Sequence, residues 1–270
     1  MTDMLSKIRT KLTPRQRKAM SITYKIVTPI AFIGLFFLIW QTLCWTNAVP
    51  SLLLPTPADT WNAFLSENSL IMKHTGITLL EAVCGLGLGI VVGFVIALLM
   101  DSFKLFTYGF KPLLVISQTI PTIVIAPLFV MWLGYGIAPK VLIITLTTFF
   151  PIAIGLADGY RSTDTDMIDL MRSMGANRVK IFWYLKLPSA LPNFFSSLKI
   201  SATYAIVGAV ISEWVGATGG LGYYIQRMQR IYNYSIMFAI IFWIITLSLM
   251  LMLVVEILKK CFIRWNKKEN

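Results

Sequence analysis

Residues 89–100 read GIVVGFVIALLM. Apart from two glycines the run is wholly apolar and shows no alternation. A membrane β-strand alternates apolar and polar residues over segments of about 10, so this stretch excludes a barrel and reads as the middle of a helix. Spanning a bilayer takes about 20 such residues. Working outward, runs of that length fall at about 26–45, 78–100, 112–133, 137–157, 194–215 and 236–258. The composition agrees: 57% of the 270 residues are hydrophobic and 13% charged, with a mean hydropathy of +0.73. The expected class is all-α, a polytopic membrane protein with six transmembrane helices.

The net charge of +12 raises the question of nucleic acid, and the placement of the basic residues answers it. With six spans and an inner N-terminus, 20 of the 24 Lys and Arg fall in inner segments. Lys73, Lys140, Arg227 and Arg230 are the four outside. That bias is the positive-inside signature. It predicts N-in/C-in topology, membrane lipid as the surrounding partner and no nucleic acid. The chain divides into a cytoplasmic N-terminal segment (1–25), a single transmembrane domain (26–258) and a cytoplasmic tail (259–270). The first apolar run is too long for a signal-peptide core and no small-x-small cleavage site follows, so it reads as a retained span. Cys44, Cys84 and Cys261 are dispersed without ligand-like spacing and read as free thiols in apolar packing.

Between spans 1 and 2, SLLLPTPADTWNAF (51–64) has prolines that stop a helix and Asp59, which can cap a new short one. Span 2 carries Gly85, Gly87, Gly89 and Gly93, and glycines four apart give a small-residue face for close helix packing. Glu81 sits near the outer interface, where solvation is expected. Pro121 and Pro127 break span 3, beside Gln118 and Thr122; span 4 contains Thr145, Thr148 and Pro151. Freed carbonyls in such helices require protein or cavity water. On span 5, Ser197, Ser201, Tyr204, Gly208 and Ser212 share one helical face, with Glu213 beside its outer end. Such a stripe either glues helices or lines a route, and an ionisable group within a span favours a route. The candidate pathway is therefore Gln118, Thr122, Ser197, Ser201, Tyr204, Gly208, Ser212 and Glu213.

The longest inner loop, about 160–190, contains STDTDMIDLMRSMGANRVKIFWYLKLP (162–188). Ser162 or Thr163 can cap a helix whose early acids favour its dipole, and Gly175 can end it. Asn177 can cap a second helix, expected to stop before Pro188. Two short helices hinged at glycine make a bracket, with Val179, Phe182 and Trp183 on one face, either packed back on the spans or exposed for docking. No nucleophile, base and orienter set is visible, His74 is the single histidine, and no GxxxxGK[ST] loop occurs. The chain reads as no enzyme. GATGGLGYY (216–224) falls on the outer side and lacks the lysine of a phosphate loop.

The bracket resembles the cytoplasmic loop of importer-type ABC transporter permeases, whose pattern is E-A-A, three residues, G, nine residues, I-x-L-P. Asp169, Leu170 and Met171 stand for E-A-A, Gly175 for the glycine, and Leu185 to Pro188 for I-x-L-P, with the spacing kept. The departures are Asp for Glu and larger apolar residues for the alanines. LLPTPADTWNAF, QTIPTIVIAPLFVMWLGYG (118–136) and AIVGAVISEWVGATGGLGYYI (205–225) resemble the branch importing nitrate, sulfonates, taurine and, in some members, a thiamine-precursor pyrimidine. The resemblance implies a bacterial inner-membrane permease, paired as a homodimer, over two cytoplasmic ATPase subunits that bind ATP and Mg, fed by an extracytoplasmic binding protein. No cofactor or metal is expected in this chain. The bracket becomes a coupling helix whose ATPase interface is Asp169, Arg172, Gly175, Ala176, Arg178, Val179, Phe182, Trp183, Leu187 and Pro188. A sulfonate-like anion is the first expectation for the substrate and a pyrimidine the second. A membrane scaffold recruiting a cytoplasmic protein is the reading from another class.

Overall fold

A computed structural model describes residues 14–46 and 48–263. Lys7, Arg9 and Lys11 of the N-terminal basic cluster and Arg264, Lys267 and Lys268 of the tail, on which part of the topology count rests, lie outside the described residues. Two units are distinguished, residues 1–63 and 64–270.

The first unit contains α1 (Pro14–Trp45) and most of α2 (Pro57–Ser66). From Val27 to Trp45, α1 shows its apolar side chains almost entirely outward, as a lipid-facing helix does. Trp40 Nε1 donates to the Pro55 carbonyl at 3.0 Å. The cap of α2 differs from expectation. Thr56 is the N-cap, its hydroxyl accepting from the Asp59 amide at 3.1 Å, while Asp59 reaches back to the Thr56 amide at 3.3 Å. This reciprocal pair is a capping box in which Asp59 is the N3 partner.

Among its described residues the second unit contains α3 (Asn68–Ser102), α4 (Lys104–Thr119), α5 (Thr122–Leu133), α6 (Ile137–Arg161), α7 (Thr165–Ser173), α8 (Arg178–Ile181), α9 (Leu187–Glu213), α10 (Leu221–Arg230) and α11 (Tyr234–Phe262). Among the described residues of the chain, five helices are long and apolar enough to span a bilayer, and six spans result when α4 and α5 count as one. The third span is therefore not the straight run 112–133. It starts at Lys104 and bends by 98° between α4 and α5. Ile120 and Pro121 are extended there, because proline drives the residue before it out of the α region. Pro127 stays inside α5 without breaking it.

The core is α3, α6 and α9, packed side by side. Lipid tails are as apolar as leucine, so helix association inside a bilayer depends on close packing and hydrogen bonds. The span 2 glycines supply that approach: a methyl group at Gly85, Gly89 or Gly93 would collide with Ile144, Thr148 or Ile152 of α6. Thr145 Oγ1 also donates to the Gly85 carbonyl at 3.2 Å. Gly155 and Gly159 of α6 meet Ser197 and Ala190 of α9 in the same way.

Candidate functional site

Three regions hold the chemistry that the sequence pointed to. The first is the bracket. Ser162 caps the end of α6, and the N-cap of α7 is Asp164, whose side chain accepts from the Asp166 amide at 2.9 Å. Thr163 is buried instead, its hydroxyl without a partner among the described residues. Gly175 closes α7 at φ +81°. Its amide donates to the Arg172 carbonyl and that of Ala176 to the Met171 carbonyl, both at 2.9 Å. This is a Schellman end, which favours glycine at that position. Asn177 Oδ1 then accepts from the Lys180 amide at 2.9 Å, starting α8 as expected.

The second arm does not stop before Pro188. After α8 the chain widens into a π turn, Phe182–Lys186, and runs directly into α9. A proline ring in an α-helix collides with the carbonyl four residues earlier, and a wider turn moves that carbonyl aside. The arm is thus the leading end of one long helix, Arg178–Glu213, rather than a separate short one. Val179 and Trp183 point outward, Trp183 being 57% exposed. Phe182 leaves their face and packs edge-on against Tyr160 of α6, centroids 5.4 Å apart. Leu170, Met174 and Tyr184 extend the exposed apolar surface. Asp169 pairs with Arg172 at 3.0 Å, both exposed, as are Gly175 and Arg178, whereas Ala176, Leu187 and Pro188 are half-buried.

The second region is a cleft of about 300 Å³ at the broken span, between α4, α5, α6 and α9. Gln118, Thr122, Tyr204 and Gly208 line it, with Ser117, Thr147 and Phe150. No Asp, Glu, Lys, Arg or His is among its lining residues. The stripe on α9 thus divides in two. Tyr204 is 48% exposed and faces the cleft. Ser201 is fully buried and donates to the Thr148 carbonyl of α6 at 2.9 Å. Ser197 packs at Gly155, and Ser212 bonds back to the Ala209 carbonyl at 2.7 Å. The serines are placed as glue between and within helices.

The third region is a buried polar knot at the end of the core away from the bracket, the end expected to face outward. Glu213 is 1% exposed. Its carboxylate accepts from Thr78 Oγ1 at 2.6 Å and from the Gly222 amide at 2.5 Å. The Thr78 hydroxyl accepts from the Leu221 amide at 2.8 Å, and His74 Nδ1 from the Gly220 amide at 3.1 Å. Gly220 has φ +108°, and a methyl group there would strike the Glu213 carboxylate. The glycine-rich outer segment is accordingly a backbone cradle around Glu213. Glu81 is buried rather than solvated, and pairs with Lys140 at 2.5 Å. Nearby, Tyr224 donates to Glu67 at 3.1 Å, and burial together with that carboxylate pushes its phenol up to about 12. Glu213 therefore anchors the outer segment to α3, and it is not a lining residue of the cleft. Sequence reading placed Glu213 in the membrane but missed its partners. The signal was present in the four glycines that follow within nine residues of a buried acid.

Comparison with known proteins gives this arrangement a context. Residues 89–264 match the model of the family described as binding-protein-dependent transport system inner membrane component. A formylaminopyrimidine transport permease protein of Halalkalibacterium halodurans is 36% identical over 251 residues, covering 93% of this chain and 100% of the relative. A probable ABC transporter permease protein of Haemophilus influenzae is 34% identical over 239 residues, covering 88% of this chain and 98% of the relative. Among solved structures, an inward-facing methionine ABC transporter matches with a TM-score of 0.65 at 21% identity, over 73% of this chain and 98% of that one, a likeness of fold.

Proposed function

We propose, from the premise that this chain belongs to the binding-protein-dependent transport system inner membrane components and is the multi-pass permease subunit of an ABC importer, that it carries an uncharged pyrimidine-like heterocycle inward. The lining of the cleft carries this reading. An amide (Gln118), hydroxyls (Thr122, Thr147, Tyr204) and an aromatic face (Phe150) suit a planar polar ring. An anion entering the same cleft would shed its hydration without meeting a cation, at a cost of several kcal/mol. The name of the 36% identical relative points the same way. The sulfonate-like anion is the second reading. It would find Arg227 and Arg230 in the last turn of α10, which are not lining residues of the cleft.

An ATPase and an extracytoplasmic binding protein are the general partners of such a permease. In our reading two copies of this chain pair, with the bracket on the cytoplasmic side seated in the ATPase through Val179 and Trp183. ATP closure draws the two brackets together and turns the cleft outward; hydrolysis resets it, a rigid-body switch. Because the second arm continues into α9, which carries Tyr204 and Gly208, bracket motion reaches the cleft along a single helix. ATP and Mg belong to the partner subunit. To test the substrate class, cells producing the whole transporter are given labelled formylaminopyrimidine or labelled taurine. Uptake of the pyrimidine and not of taurine is expected, and the reverse would overturn the heterocycle reading.

A further inference from the structure

Asp101, one residue before the end of α3, belongs to no motif discussed above. Its carboxylate accepts two hydrogen bonds from Lys186 Nζ, at 2.7 and 2.9 Å. The pair bridges 85 positions of sequence, and its side chains are 17% and 23% exposed. Lys186 ends the π turn that carries Trp183. Besides its continuity with α9, the bracket meets the core through an apolar joint, Phe182 on Tyr160 of α6, and an ionic joint, Lys186 on Asp101 of α3.

The two joints behave differently under load. Apolar contact has no preferred direction, so it resists compression and lets surfaces slide. A charge-assisted bond to both carboxylate oxygens fixes direction as well as distance, and so transmits a pull. Lys104 and Arg161 line the cleft around Asp101, with Lys186 in the adjoining one. Asp101 is the one acid lining either cleft. Without its charge, the cations lining the two clefts, Lys104, Arg161 and Lys186 together with Arg172 and Arg178 of the bracket, would repel one another and push the bracket from α3. At its other end α3 is zipped to α6 through glycines and carries Thr78, which holds the outer segment.

We propose that the Asp101–Lys186 ion pair is a positioning strut that passes bracket motion to α3, so that ATP closure reaches the outer knot as well as the cleft. This rests on the reading of the bracket as the ATPase docking element. The test uses the permease with its ATPase in vesicles of phosphatidylethanolamine and phosphatidylglycerol, after replacement of the native cysteines. An Ala217→Cys probe, at a half-buried position of the outer segment, reports movement of that segment through its labelling rate by a water-soluble thiol reagent, with and without ATP and vanadate. In the parent, trapping is expected to change that rate at least about fivefold. Asp101→Asn is expected to keep ATP hydrolysis and lose the change, and the exchange Asp101→Lys with Lys186→Asp to restore it, which a merely structural defect would not do. Should Asp101→Asn not reach the membrane, Lys186→Gln carries the same expectation. A full fivefold response in either single variant overturns the strut. Trp183→Asp reports separately on docking: if it keeps the ATPase bound, the docking reading fails, whatever Asp101 does.

Discussion

Thr78→Val removes one hydroxyl and leaves nearly the same volume, at a residue with no exposed surface. That hydroxyl donates to Glu213 and accepts from the Leu221 amide, so the change leaves two buried groups short of a partner. An orphaned buried polar group costs about 1–3 kcal/mol, more when charged, which puts the total at about 2–6 kcal/mol. For a chain of this size about 1 kcal/mol shifts the melting temperature by about 2–4 °C, so a fall of at least about 4 °C is expected. Thermal unfolding of the purified permease in detergent measures it. Thr246→Val is the matched control, since that exposed hydroxyl bonds only back to the Phe242 carbonyl of its own helix, and it should move the melting temperature by under about 1 °C. Equal, small shifts in the two variants would refute the claim that the outer segment is held by this knot.

Three further outcomes follow from the same geometry. In a background lacking native cysteines, Gln118→Cys and Tyr204→Cys should react with water-soluble thiol reagents at least about tenfold faster than Ser201→Cys, because the first two line the cleft and Ser201 is buried against α6. Gly220→Ala should lower the melting temperature of the purified permease, since φ +108° with ψ 166° costs an L-residue about 1–3 kcal/mol and the added methyl strikes Glu213. Gly89→Leu should separate α3 from α6 at Thr148, costing about 1–3 kcal/mol by overpacking and lowering recovery of folded protein from membranes.

Sequence periodicity exposes whatever depends on one helix alone. Span number, the glycine face of α3, the Gly175 end and the Asn177 cap were all legible because each is a local rule of hydropathy or backbone geometry. Readings failed where a second element decides. Glu81 looked solvated until Lys140, 59 positions away, was brought against it. The stripe of α9 has one spacing, yet Tyr204 meets a cleft and Ser201 a carbonyl, and the difference lies on α4, α5 and α6. Pro188 signalled a stop by local rules, and the π turn before it absorbed the clash. Asp101 escaped notice because a lone acid at a helix end is normally solvated, and only the return of the chain at Lys186 gives it a partner.

The central claim is that the exposed face around Val179 and Trp183 docks an ATPase that powers the cleft. The most direct measurement is gentle affinity purification of this chain from its native membrane, with mass spectrometry of the accompanying proteins, for the parent and for Trp183→Asp. The account predicts an ATPase in stoichiometric amount with the parent and its loss from the variant, both chains being folded and membrane-inserted. Folded parent chain recovered without an ATPase, or an ATPase retained by Trp183→Asp, would contradict it.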